Sequence, residues 1–355
     1  MGGGVYTEEQ TPNLDTNRDN TRSFNVNMTM LNTVHQGNIL DLSFVIPVFN
    51  EEEILARQLE SIRRHTPPEL SKELIVVDNY STDNSVKVAL ENGVDILLQC
   101  HGTVAALRNE GARHANGKLL VFLDADVFLT EEWGKHIVNT LTEMLRSPST
   151  VTGSWVCIPT PGTWIENTWF ARMQQTAHSH INSGHLLILK RSLEELGGFE
   201  ESLVTGEDYE FSVRARNAGY ALHDDSRLKV IHHGYPRTFW QFFRREVWHG
   251  EGDYHDWAAF VKSPIAIASQ LSLDILFIGA GLAVLLENFL LAALGLIPLS
   301  VVAIGIAVTR WRPSRLRDLP AIILLSYAYF IARGFSFFKV LWDRLVNRQA
   351  GQALQ

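Results

Sequence analysis

From Asp41 onward, apolar runs of strand length alternate with amphipathic segments. LSFVIPV (42–48) predicts a buried strand, EEEILARQLESIRRH (51–65) a helix and KELIVVD (72–78) a second strand. NSVKVALENG (84–93) predicts a short helix stopped by Gly93. DILLQ (95–99), TVAALRNEGARHANG (103–117) and KLLVFLD (118–124) repeat the unit. Near-continuous apolar strands between helices predict an α/β fold, a mostly parallel, Rossmann-like sheet covered on both faces. Ligands in such sheets gather at the carboxyl ends of strands, where Pro47, Asp78 and Asp124 stand. The pattern then loosens: a helix over 131–146, a strand in TVTGSWVCIP and a Trp-bearing helix over 164–181. HLLILKRSLEELGGF reads as a strand turning into a short helix, and 206–220 as a helix, closing a globular unit at 39–234.

The pattern changes class beyond 262. Residues 264–286, 289–309 and 319–342 predict membrane-spanning helices, the second one uncharged and of the ~20 residues a span requires. Three buried helices of a soluble domain are the other reading, but the second run lacks a polar face. Arg333 inside the third run is awkward in lipid and is expected to face a neighbouring helix, the interface or a polar ligand. The connector RWRPSRLRD (310–318) carries four arginines, which places it and the 39–234 domain on the cytoplasmic side. If the third run spans, the 346–355 tail lies outside. Residues 235–262 carry interleaved aromatic and basic residues and are expected to hold an amphipathic helix in the bilayer interface.

Composition narrows the function classes. Apolar residues make up 46% of the 355, and their excess sits in the last third. A net charge of −8 argues against nucleic-acid binding. Two cysteines without ligand spacing give no support for a disulfide framework or zinc site, and a reducing compartment follows. Residues 1–38 are polar, aperiodic and without a signal-peptide pattern, and are expected to be disordered.

The strand GKLLVFLDADVF ends in Asp124 and Asp126, which point the same way on extended backbone. Two carboxylates at one point repel unless a divalent cation with oxygen ligands sits between them. A bare D-x-D fits a solvated loop pair as well.

VIPVFNEEEIL, IVVDNYSTDNS, RNEGARHANGKLLVFLDAD, KRSLEELGGFEE and GEDYEFSVRARNAGY follow in this order and at this separation. Together they resemble a family 2 glycosyltransferase of GT-A fold over residues 42–250. The resemblance implies that Pro47, Phe49, Asn50, Glu51 and Asp78 hold the donor nucleotide, with a UDP-sugar as the family default. The usual VDDGSTD reads VDNYSTD here, so Tyr80 stands where glycine gives backbone freedom. Arg108 matches a cation near the donor phosphates; a solvated helix face is its other reading. Asp124 and Asp126 become the D-x-D that holds Mg²⁺ or Mn²⁺ against the diphosphate. Asp208 becomes the general base, with Glu207 positioning the acceptor; helix N-terminal charge is the plain alternative. His232 or His233 adds a metal ligand, with His233 favoured.

QFFRR (241–245) departs from the Q-x-x-R-W of processive synthases. Gln241 and Arg244 match, Arg245 replaces the tryptophan and Trp248 follows one turn later, which implies transfer of a single sugar. Arg244 or Arg245 is expected at the diphosphate, with an interfacial basic face the other reading of Arg245. The implied protein is a membrane-anchored, metal-dependent inverting transferase of polysaccharide biosynthesis, in a bacterial inner membrane. Its acceptor is a lipid-linked sugar or surface glycan. Two rivals stand beside it. A haloacid-dehalogenase phosphatase shares the strand-end D-x-D, but Phe128 replaces its Thr or Val. A degenerate GT-A scaffold in an assembly complex draws only on the altered motifs.

Overall fold

The described residues of the structure, a computed structural model, are 27–30, 39–173, 179–309 and 316–352. The Val-, Ile-, Leu- and Phe-rich runs form the centre of an eight-stranded sheet. In chain order come β1 (Asn27–Met30), β2 (Leu40–Val48), α1 (Leu55–His65), β3 (Lys72–Asp78), α2 (Ser85–Glu91), β4 (Ile96–Gln99), α3 (Val104–His114) and β5 (Gly117–Leu123). Next are β6 (Val127–Leu129), α4 (Glu131–Arg146), β7 (Thr150–Gly153), a π-helical turn Glu166–Phe170 running into α5 (Ala171–Met173), and β8 (His185–Leu189). Then follow α6 (Lys190–Leu196), α7 (Glu207–Asn217), β9 (Ala221–Asp224), β10 (Val230–His232), α8 (Phe239–Gly250) and α9 (Trp257–Lys262). The chain finishes with α10 (Pro264–Leu285), α11 (Phe289–Thr309) and α12 (Leu319–Gln352).

The sheet order is β1-β4-β3-β2-β5-β8-β7-β9, and β4, β3, β2 and β5 are parallel, as the alternating pattern predicts. β8 runs antiparallel to β5 and β7, and β10 pairs with β6 in a separate ribbon. Successive strand residues feed opposite faces: Phe44 and Ile46 pack towards α1 and α4, whereas Val45, Ile75 and Val77 pack towards α3 and α6. The first of these cores continues through Trp169, Phe170 and Phe242 into Tyr329 and Phe330 of α12, so the C-terminal helices share a core with the globular part.

Several sequence expectations change in detail. Of residues 1–38, only 27–30 are described, and they form an edge strand antiparallel to β4 rather than disordered chain. The helix expected over 164–181 is helical over 164–173 and not over 179–181, with residues 174–178 outside the described residues. The single interfacial helix expected in 235–262 is broken into α8, a 3₁₀ turn at Glu251–Tyr254, and α9. Residues 310–315 of the arginine-rich connector lie outside the described residues.

Trp133 of α4 is fully buried beneath the sheet, its ring 5.9 Å from Phe44. Its Nε1–H donates to His185 Nε2 at 2.9 Å, and burial pushes the His185 imidazole down to about 3, so it stays neutral. Trp133→Ala removes packing and leaves His185 without that donor. A loss of about 3–5 kcal/mol is expected, read as a lowered unfolding midpoint in detergent; a change below 1 kcal/mol contradicts this account of the core.

Candidate functional site

A cleft of about 1860 Å³ opens at the carboxyl ends of the parallel strands. Its walls carry Asp124 and Asp126 on one side and Glu207 and Asp208 on the other. β5 stops at Leu123 and β6 resumes at Val127, so the D-x-D occupies the break between two buried strands.

The two aspartates are held differently. Asp124 Oδ1 accepts a hydrogen bond from Arg108 Nη2 at 2.7 Å. Asp126 Oδ1 is buried and has no partner, while its Oδ2 lies 3.4 Å from His232 Nε2. Burial raises the Asp126 pKa, His232 opposes the shift, and Asp124 adds to it. Glu51, on the same cleft, is pushed up to about 7 by burial and by the charges of Asp126, Asp124 and Asp83. A site that drives carboxylates towards protonation is short of positive charge.

Two glycines make room for this pair. A Cβ on Gly184 would sit 2.6 Å from Asp124 Oδ2, and one on Gly234 only 1.7 Å from Asp126 Oδ2. Among the described residues, no three carboxylate, imidazole or thiolate groups already form a metal cage. Yet an orphaned carboxylate oxygen beside an imidazole, with space kept by glycine, suits a hard divalent ion that takes its other ligands from phosphate and water. The residues present fit such an ion.

Arg108 differs from both of its sequence readings. It is neither solvated nor free for phosphate: its side chain is 2% exposed, and Nη1 donates to Glu207 Oε1 at 2.8 Å. α3 lies on the sheet with its side chains turned inward, which buries the guanidinium between Asp124 and Glu207. Ser183 Oγ donates to the same Glu207 oxygen at 2.9 Å. Glu207 is thus occupied in ion pairing, whereas the neighbouring Asp208 keeps Oδ2 3.7 Å from His180 Nε2. Burial and Glu207 raise the Asp208 pKa, and His180 pulls it back. The His180 ring meets Trp155 and Tyr209 edge-on, and its Nδ1 is buried without a hydrogen-bond partner.

The nucleotide loops are zipped to each other. Asn50 Oδ1 accepts from Thr82 N–H, Asn50 N–H donates to Ser81 Oγ, and Glu51 N–H donates to Ser85 Oγ. Asp78, expected to meet a base, is fully buried and accepts from Ser81 N–H and Gln99 Nε2. Neither Asp78 nor Asn50 lines the cleft, whereas Pro47, Phe49 and Glu51 do. Tyr80 keeps the left-handed backbone of the glycine it replaces, φ +53°, and its ring stacks on His101 at 4.1 Å.

On α8, Gln241 lines the cleft but spends its Oε1 on the N–H groups of Arg237 and Thr238 in a capping box. Arg244 turns out over Trp240 and away from the cleft; Arg245 and Trp248 line it. Arg245 pairs with Glu246 at 2.8 Å.

Of the histidine pair, His232 and not the favoured His233 turns its ring to Asp126. His233 lies against Phe128, ring centroids 4.4 Å apart. Consecutive residues leaving β10 point to opposite sides, and the pairing of His232 with Val127 fixes which one faces Asp126. Sequence reasoning also missed His180, Gly184 and Gly234. The glycines offered a signal, each flanked by polar residues at a strand end; His180 offered none.

The chain matches the family model "Glycosyl transferase family 2" over residues 43–195. It is 28% identical over 240 residues to the glycosyltransferase AglE of Haloferax volcanii, covering 61% of this chain and 74% of that one. A Methanococcus voltae relative, dolichyl N-acetyl-alpha-D-glucosaminyl phosphate 3-beta-D-2,3-diacetamido-2,3-dideoxy-beta-D-glucuronosyltransferase, is 20% identical over 53% of this chain and 65% of its own length. Among solved structures, the mannosyltransferase PcManGT of Pyrobaculum calidifontis, in complex with GDP-Man and Mn²⁺, superposes with a TM-score of 0.51 at 18% identity. That match covers 86% of this chain and 88% of the other, and it concerns the fold. Relatives therefore include an enzyme named for a lipid-linked sugar acceptor, and three C-terminal helices here are long and apolar enough for a membrane anchor. Residues 43–195 are a glycosyl transferase family 2 domain on a GT-A fold, and the chain is a glycosyltransferase.

Proposed function

We propose that the chain moves one sugar, with inversion, from a nucleotide-diphosphate sugar to a lipid-linked or glycan acceptor, with Asp208 as general base. The observation that carries this reading is the shared cleft, in which Asp126 with its orphaned oxygen and Asp208 with its raised pKa line one space. The donor nucleoside lies over Pro47, Phe49 and Glu51, while Asn50 and Asp78 shape that loop from behind. Asp124 and Asp126, with His232, would hold Mg²⁺ or Mn²⁺. Such an ion supplies positive charge to the departing diphosphate. Arg245 faces the same space and adds to that charge.

Asp208 takes the proton of an acceptor hydroxyl as its oxygen bonds to the anomeric carbon. The bond from that carbon to the phosphate oxygen breaks, and the nucleoside diphosphate leaves with the electron pair. A single displacement inverts the centre. Asp208 is preferred over Glu207 as the base, because Arg108 and Ser183 hold Glu207 through Oε1. His180 is a positioning residue that tempers the acidity of Asp208. The arginine-rich connector supports a cytoplasmic side for the 39–234 domain.

Asp208→Asn should lower sugar transfer by about 10²–10⁴-fold with donor binding intact, measured by transfer of label from a sugar nucleotide to membrane lipid extract. Undiminished transfer removes the base assignment. The acid limb of kcat/KM against pH should lie above the ordinary aspartate value of about 3.9. Of the charged groups facing Asp208, Glu207 raises its pKa, whereas His180 and Arg108 lower it. His180→Ala should therefore move that limb to higher pH, and an unmoved limb counts against the pairing. Gly234→Ala should displace Asp126 and weaken apparent Mn²⁺ affinity by about 10–100-fold, the range seen when support for a metal ligand is lost. Unchanged metal dependence would detach Asp126 from the ion.

A further inference from the structure

α12 has the length and composition of a membrane span, yet half of its apolar segment is buried inside the protein, against 22% and 17% for α10 and α11. Partners on the globular domain recur along its length. Asp318, just before the helix, accepts from Arg172 Nη2 at 2.8 Å. The Tyr329 ring packs on Trp169, centroids 5.4 Å apart. Arg333 donates to the His249 carbonyl at 2.9 Å and pairs with Glu246 and Asp253, each at 3.3 Å. Ser336 Oγ donates to the Val247 carbonyl, Lys339 pairs with Glu251 at 3.0 Å, and Arg344 donates to the Tyr254 carbonyl at 3.4 Å.

These partners advance along α8 and the turn after it in step with α12, so the two segments run side by side in the same direction. From Asp318 to Arg344 the path is about 39 Å at a rise of 1.5 Å per residue, more than the ~30 Å hydrocarbon thickness. A transmembrane α12 would carry α8 through the bilayer beside it, with Arg244 exposed to lipid. It would also put Arg172 and Glu251 on opposite sides of the membrane. Charges near the bilayer centre are costly unless paired or facing water. The hairpin of α10 and α11 is tied to α12 at mid-length, where the Tyr327 hydroxyl donates to Ser300 Oγ at 2.6 Å and Phe277 meets Phe335 and Phe338; towards its tip, Leu285 and Phe289 are 75% and 83% exposed.

We infer that α10 and α11 alone, among the described helices, cross the bilayer, and that α12 lies along the globular domain at the bilayer surface. Its outer face, with Leu324, Phe338, Leu341 and Trp342 exposed, rests against lipid. The chain after α12 then returns to the side of the catalytic domain. Val340, Asp343 and Arg344 line the cleft, so its mouth opens beside the membrane surface. Access of a lipid-linked acceptor through that mouth rests on the proposed transferase reading; the topology does not.

The test uses the full chain in sealed membrane vesicles, with different epitope tags on the two termini. Asn288→Cys at the hairpin tip is labelled with a membrane-impermeant maleimide and measured against the wild-type background. Both tags should be digested by added protease in the vesicle orientation that protects Asn288→Cys, and both protected in the orientation that labels it. A C-terminal tag that follows Asn288→Cys instead would show that α12 crosses, and would overturn the proposal. Arg333→Leu gives a second reading. A surface-lying α12 loses its ion pairs, and the melting temperature of the purified protein should fall by several degrees. An unchanged or raised value would show that these ties do not hold α12 to the globular domain, and would also overturn it.

Discussion

A buried guanidinium between two carboxylates organises this molecule. Arg108 brings α3 under the sheet edge and bonds Asp124 at the end of β5 and Glu207 at the start of α7, residues far apart in the chain. A buried charge that loses one partner is strongly destabilising, by about 3–5 kcal/mol, so the three side chains hold one another in place. The consequences fall on the neighbours. Arg108 pairs with Asp124 and Glu207, which line the cleft together with the other acid of each pair, Asp126 and Asp208. Each of the latter two has a raised pKa and a histidine beside it, His232 for Asp126 and His180 for Asp208.

The altered motifs keep the backbone geometry of the family pattern while changing the chemistry. Tyr80 adopts the left-handed conformation of the glycine it replaces, and its stack on His101 offsets part of that strain. Gln241 is retained, but as the reciprocal partner in the cap of α8. Arg245, in the place where a processive synthase carries tryptophan, puts a cation where a stacking platform would be. A cation at that wall suits a phosphate-bearing ligand better than a sliding sugar chain.

Much of the fold was legible because burial on both faces leaves a period that sequence records directly. β2, β3, β5 and the helices between them follow from apolar runs and gaps. β9 was not, since a four-residue edge strand with mostly exposed residues leaves no pattern, and β1 lies in a segment whose sequence carries no period. The acidic pairs of the candidate site were legible as motifs, but their division of labour was not. Arg108 reads as a surface helix residue until Glu207 is brought to it from 99 positions away. His180 lies in a stretch with no motif, and the choice between His232 and His233 depends on strand register, which one sequence does not reveal. The space made by Gly184 and Gly234 is likewise a tertiary fact, visible only once the carboxylates are placed against them.

The same principle, charges held in place by partners distant in sequence, joins the cleft to the anchor. Arg333 looks like a fault in a membrane span when read along α12, and becomes intelligible once Glu246 and Asp253 are opposite it. The helix that supplies Glu246 also supplies Arg245 and Trp248 to the cleft wall. A shift of α12 against α8 would therefore move residues of the site itself. Because the apolar core runs without a break from the sheet through Phe242 to Phe330, such a shift would have to break packing as well as ion pairs. The C-terminal helices are thus structurally part of the unit that carries the cleft, joined to it by the same contacts that stabilise the fold.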